Sequence, residues 1–205
     1  MSSHIKTSDT HPIQIGFIDL ACGRVGLTFC PGKHQDSGVT GNVWRRDLDT
    51  DLARVRSEGV THVISLIECD EMEELSVPHL GARVAAHGMT WSHFPIVDGD
   101  TPTQASLPAL RTLRHAWQGW LAADSSVLVH CKGGLGRAGT IASILLLDAG
   151  HTDDAEAAMR AVRTVRPGAI ENRNQERFVR DLARNDRETE LPPTPTDSRP
   201  SPKGE

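Results

Sequence analysis

The run Ser126-Val127-Leu128-Val129-His130-Cys131-Lys132-Gly133-Gly134-Leu135-Gly136-Arg137-Ala138-Gly139-Thr140 passes from a short apolar stretch, through a glycine-rich loop, into the apolar segment 138–149. A strand over 126–130 followed by a helix over 138–149 is the unit from which parallel sheets are built, and such sheets carry their ligands where the strands end. Gly133, Gly134 and Gly136 let the backbone curl with its N–H groups turned inward, and the following helix N-terminus adds partial positive charge, so the loop suits a tetrahedral anion. Cys131 stands at its foot, where the same dipoles favour a nucleophilic thiolate. Arg137 closes it with a planar fork that matches two phosphate oxygens.

Outward from this loop the alternation continues in both directions. Strands are expected at 13–20, 25–29, 61–67 and 89–95, the third almost wholly apolar and therefore buried on both faces. A helix is expected at 49–58, capped by Asp49 or Thr50 and closed by Gly59, with shorter helical pieces at 71–76 and 79–87, the latter stopped by Gly88. Leu107, Leu110, Leu113, Trp117 and Leu121 step by three and four, the stripe of an amphipathic helix, and helices at 153–165 and 172–185 follow. The fold class is α/β: a central, mostly parallel sheet with helices on both faces. Residues 1–12 and the Pro-rich 186–205 are expected to be disordered tails around one domain at 13–185.

Composition narrows the chemistry. Net charge is −5 and the pI about 6.0, which lacks the basic footprint of a nucleic-acid binder, and no apolar stretch is long enough to span a bilayer. A cytoplasmic monomer is the expectation, with neither nucleic acid nor membrane as partner. The ten histidines form no H-x-x-x-H or Cys–His cluster, so no metal and no cofactor are expected. Cysteines 22, 30, 69 and 131 form no C-x-x-C pair and read as free thiols, Cys22 and Cys30 as inert packing. Cys69 follows the apolar strand and is expected on the same rim as Cys131, as packing or as a reversible disulfide partner. Residues 134–139 also match G-x-G-x-x-G, but the helix after the loop runs on into another helix where a dinucleotide-binding unit requires a strand.

HCKGGLGR resembles the signature H-C-x-x-G-x-x-R of the cysteine-dependent protein phosphatases, and most closely the dual-specificity branch, in particular the cyclin-dependent-kinase-associated phosphatase group and its bacterial relatives. Phe94-Pro95-Ile96-Val97-Asp98-Gly99-Asp100-Thr101-Pro102 resembles that group's general-acid loop, and residues 168–175 its segment before the last helix. The resemblance implies a protein-tyrosine-phosphatase-like fold and a phosphoprotein substrate. It implies Cys131 as nucleophile, Arg137 as phosphate clamp and Asp98 as acid, with Asp100 the neighbour that could stand in for it. It further implies residues Lys132, Gly133, Gly134, Leu135 and Gly136 around the phosphate, His130 orienting the loop and Gln175 near the hydrolytic water. Two departures stand out. Glu171 occupies a place where the eukaryotic relative has Gln, and Ala138 one where members commonly carry Ser or Thr. A catalytically degenerate phosphoprotein-binding module is the other reading of the anion nest; it would lack the acid or the nucleophile, and both are present.

Overall fold

The computed structural model describes residues 5–36 and 43–190; the Pro-rich segment after 190 lies outside them. In chain order the elements are β1 (Ile5–Lys6), β2 (Gly16–Asp19), β3 (Arg24–Phe29), β4 (His34–Gln35), β5 (Val43–Arg45), α1 (Leu48–Ser57), β6 (His62–Ser65), α2 (Cys69–Glu74), α3 (Leu80–Ala86), β7 (Thr90–His93), α4 (Leu107–Ala122), β8 (Ser126–Cys131), α5 (Gly136–Asp148), α6 (Ala155–Val165) and α7 (Arg173–Glu190).

The main sheet has the order β2-β3-β8-β6-β7, with β2 antiparallel at one edge and the rest parallel. The apolar run before the signature loop is its centre: every residue of β8 is buried, which requires cover on both faces. Helix α5 packs on β3 and β8 with α6 and α7 against it, while α4 lies against β8 and stacks Trp120 on His62 of β6. The expected stripe of α4 buries Leu110, Trp117 and Leu121, and Trp117 donates its indole N–H to Asp148 at the end of α5. Because β3, β8, β6 and β7 run the same way, Cys30, Cys131, the turn into α2 and the loop at 94–102 all emerge on one rim.

Several expectations change. Residues 5–12, expected outside the fold, supply β1, which pairs in parallel with β5, and β4 completes a second, three-stranded sheet. Two-residue strands carry no periodicity to read; their pairing partners hold them. The cap of α1 is Asp47, whose carboxylate accepts from Thr50 N–H, whereas Asp49 is drawn off to Arg83 and His87. Helix α5 begins at Gly136, so Arg137 lies in its first turn, and α7 runs on to Glu190, past the expected boundary at 185. Gly59 and Gly88 do close their helices, with φ of 84° and 73°.

Candidate active site

Cys131 is the last residue of β8, buried beneath the loop, and Gly134 N–H donates to its Sγ at 3.2 Å. Gly134 has a φ of 69°, and a Cβ there would stand 2.3 Å from the Thr28 carbonyl, so the tight passage over β3 admits only glycine. The loop's outward carbonyls are held from outside: Arg166 Nε donates to Gly134 O (3.0 Å), Arg166 Nη2 to Gly133 O (2.9 Å), and the buried Lys33 ammonium to Lys132 O (3.3 Å). With carbonyls turned out, the adjoining N–H groups face the hollow, as an anion nest requires. Burial brings the Lys33 pKa down to about 8.

Arg137 is almost wholly buried and most of its fork is already committed. Nη1 and Nη2 grip the Glu71 carboxylate at 2.6 and 2.9 Å, Nη1 donates to Ile96 O at 2.8 Å, and Nη2 meets Asp98 Oδ1 at 2.8 Å. Among the described residues, Arg137 Nε is the buried side-chain polar atom without a partner. An unmet donor is costly unless the working state satisfies it. Glu71 also accepts from Glu68 N–H, so the turn that starts α2 fixes the carboxylate before it meets the arginine. Burial alone would raise the Glu71 carboxyl, but the Arg137 bonds and charge hold it below its ordinary value.

Asp98 is brought to Arg137 and Asp100 is not. The Asp100 carboxylate folds back on Thr101 N–H, while its main-chain oxygen receives Gln175 Nε2 at 3.4 Å. Asn172 Nδ2 donates to Gly99 O at 2.8 Å, so the acid loop is tied to the start of α7. Gln175, considered for positioning water, is fully buried and engaged at both amide ends, since its Oε1 accepts Glu171 N–H at 2.9 Å; it braces two loops. Gly136 N–H donates to Glu171 Oε2 at 2.9 Å. Lys132 reaches Glu74 on α2 at 3.5 Å, and Leu135 caps α5 through its backbone alone.

His130 is fully buried, its Nε2 2.7 Å from Ser65 Oγ, which itself accepts the Trp91 indole N–H. It thus points away from the hollow, as its place on the strand predicts. Burial lowers its pKa to about 4, so the ring is neutral at pH 7. The unfolded chain takes up this proton near pH 6.5 and the folded chain only near 4, so stability falls as pH drops through that window. The expected loss is roughly 3 kcal/mol, read by urea unfolding at pH 7 and pH 4, and smaller in His130→Asn.

Cys22 and Cys69 part from the packing role read for them. Cys22 is exposed, and so is Cys69, the first residue of α2, which removes packing as its function. Cys30 is the thiol next to the loop: Phe29 faces Cys131 across the ladder and Cys30 N–H donates to Lys132 O. Burial pushes the Cys30 thiol far up, so it stays protonated and inert, as read from the sequence. Glu71, Arg166 and Lys33 were not singled out in the sequence. Only Glu71 left a signal there, as the acid a capping box places on the third residue of a helix.

Comparison with known proteins falls on this same region. A family model described as Swiss Army Knife protein, DSP-PTPase phosphatase domain, matches residues 43–179. Cyclin-dependent kinase inhibitor 3 of Rattus norvegicus is 30% identical over 181 residues, covering 83% of this chain and 79% of its own; the Homo sapiens protein is 29% identical at the same coverage. Among solved structures, kinase associated phosphatase with serine in place of its catalytic-site cysteine superposes with a TM-score of 0.75 at 27% identity, over 88% of this chain and 99% of that one. Tk-PTP in its active form gives 0.63 at 25% identity, over 83% and 96%.

Proposed function

We propose, for a chain that belongs to the DSP-PTPase phosphatase domain family and is a cysteine-dependent protein phosphatase, a two-step reaction carried by Cys131, Arg137 and Asp98. The Cys131 thiolate attacks phosphorus in line while the loop N–H groups and Arg137 take the equatorial oxygens, and the P–O bond to the leaving group breaks as Asp98 delivers its proton. Water then attacks the phosphocysteine, Asp98 takes its proton, and the P–S bond breaks to release phosphate. The observation that carries this reading is Arg137 Nε, buried and unpartnered in a fork whose other nitrogens are already held.

Phosphorylated protein side chains are the proposed substrates, in a cytoplasmic, reducing setting that keeps the thiol free. Among the described residues no helix is long and apolar enough to cross a membrane. The test is turnover of phosphotyrosine and phosphothreonine peptides, inhibited by vanadate and unaffected by EDTA. No release of phosphate from either peptide, or loss of activity on chelation, would sink it.

If Asp98 is the acid, Asp98→Asn slows alkyl phosphates by about 10²-fold or more and aryl phosphates with good leaving groups far less, because the latter need little protonation. Asp100→Asn is mild. A reversed pattern in rates on paired alkyl and aryl substrates would move the role to Asp100.

Ala138 places a buried methyl group where family members commonly carry a hydroxyl beside the sulfur, and Thr140 cannot replace it because its Oγ1 is spent on Gly136 O at 2.9 Å. A hydrogen bond to a charged group contributes roughly 1.5–3 kcal/mol, so the second step is expected to limit turnover. Stopped-flow traces with an aryl phosphate should show a burst, and Ala138→Ser a steady state about tenfold faster. A linear trace and an unchanged turnover number would remove the hydroxyl argument.

A further inference from the structure

Of the groups around the nest, Glu171 is the one the proposed reaction leaves without a task. Its Oε2 accepts the Gly136 N–H at 2.9 Å, and a Cβ on Gly136 would lie 2.4 Å from that oxygen. Gly136 is the first residue of α5, and helix N–H groups at this position have no intrahelical acceptor. This N–H is therefore a donor that an oxyanion seated in the loop would draw on. Among the described residues no salt bridge engages the Glu171 carboxylate, so its charge is not cancelled locally. The backbone beneath it is fixed: Ile170, at a φ of 60°, donates N–H to Leu135 O, Arg163 holds the Ala169 and Ile170 carbonyls, and Glu171 N–H is tied to Gln175. The residue itself is exposed, so the side chain alone can swing out to water.

We infer that Glu171 is a gate carboxylate, holding by its own oxygen the place at Gly136 N–H that a substrate phosphate oxygen takes, and withdrawing when the phosphate enters. The inference rests on the reading of the loop as a phosphate nest. Glu171 competes with the phosphate for one donor and repels it by charge, which sets substrate affinity while leaving the reacting atoms to others. It makes the site selective for phosphates whose remaining contacts compensate for that displacement, such as a phosphorylated residue within a bound protein segment, over free inorganic phosphate.

The test uses the full chain and inorganic phosphate as the probe, in Glu171→Gln, which keeps the side-chain shape, and in Glu171→Ala. The inhibition constant of phosphate is expected to fall about tenfold in Glu171→Ala and by a smaller factor in Glu171→Gln, whose amide oxygen still reaches the Gly136 N–H without the charge, with KM for a small aryl phosphate falling in parallel. Calorimetric binding of phosphate to Cys131→Ser, with and without the Glu171 change, reads the same difference without turnover. Phosphate that binds Cys131→Ser but no more tightly after Glu171→Ala would overturn the gate alone. Failure to bind any of the proteins would overturn the nest and the gate together. A slower second step with an unchanged inhibition constant would also overturn the gate, moving Glu171 to the attacking water.

Discussion

Cys131→Ser is expected to lower turnover of an aryl phosphate by about 10⁴-fold or more while phosphate binding survives. Serine fits the site: it is smaller than cysteine, and Gly134 N–H can donate to its oxygen as it does to the sulfur. What it loses is the sulfur nucleophile, because a hydroxyl is a far poorer one unless a base removes its proton. His130 lies next in sequence but is aimed at Ser65, beneath the sheet rim, and cannot serve. The nest and the Arg137 fork are untouched, so calorimetry should still register phosphate. A residual rate within tenfold of the native enzyme would exclude Cys131 as the nucleophile.

Arg137→Lys should be nearly as damaging, lowering kcat/KM by about 10²–10³-fold, the effect of removing an oxyanion donor. The arginine divides its donors among Glu71, Ile96 O, Asp98 and the unmet Nε, and that division depends on a rigid plane. An ammonium is a single point; placed against Glu71 it cannot also reach the nest. Its failure should appear in the melting curve as well, since one ammonium cannot supply both Glu71 bonds and the Ile96 bond together, and a buried acceptor left unmet costs about 1–3 kcal/mol. Glu71→Gln, which leaves the nest intact, should reproduce much of the stability loss and less of the catalytic loss. Equal activity in Arg137→Lys and native protein would refute the fork argument.

The difference between what the sequence discloses and what the fold adds follows the distance over which each interaction is made. Cys131, the glycines and Arg137 are legible because strand, nest and helix start lie within one continuous run, and their chemistry depends on spacing alone. Asp98 is legible through the loop it resembles, which already sets it ahead of Asp100; the fold adds the geometry, sending one carboxylate to Arg137 and the other to its own backbone. Glu71 meets Arg137 across the sheet rim from a different crossover, and Arg166 reaches the loop from the segment after α6; neither sits in a pattern that names its partner. Gln175 was visible as a residue, but its burial was not, because an amide at the start of a charged helix reads as surface until the acid loop is laid over it.

The small second sheet makes the front of the chain part of the machinery. His11 O accepts from Arg46 at 2.8 Å; Arg46 clamps Asp51 at 2.7 Å on both oxygens; Asp51 receives Gly32 N–H at 2.9 Å; and the next residue is Lys33, whose ammonium holds the carbonyl beside the nucleophile. Each link is buried or partly so, and none passes through the main sheet. Trimming the chain before residue 12, as a protease or an expression strategy would, therefore does more than shorten a tail. It slackens a tether that runs from His11 to the foot of the catalytic loop, and the first sign would be a looser nucleophile in a protein whose core is still intact.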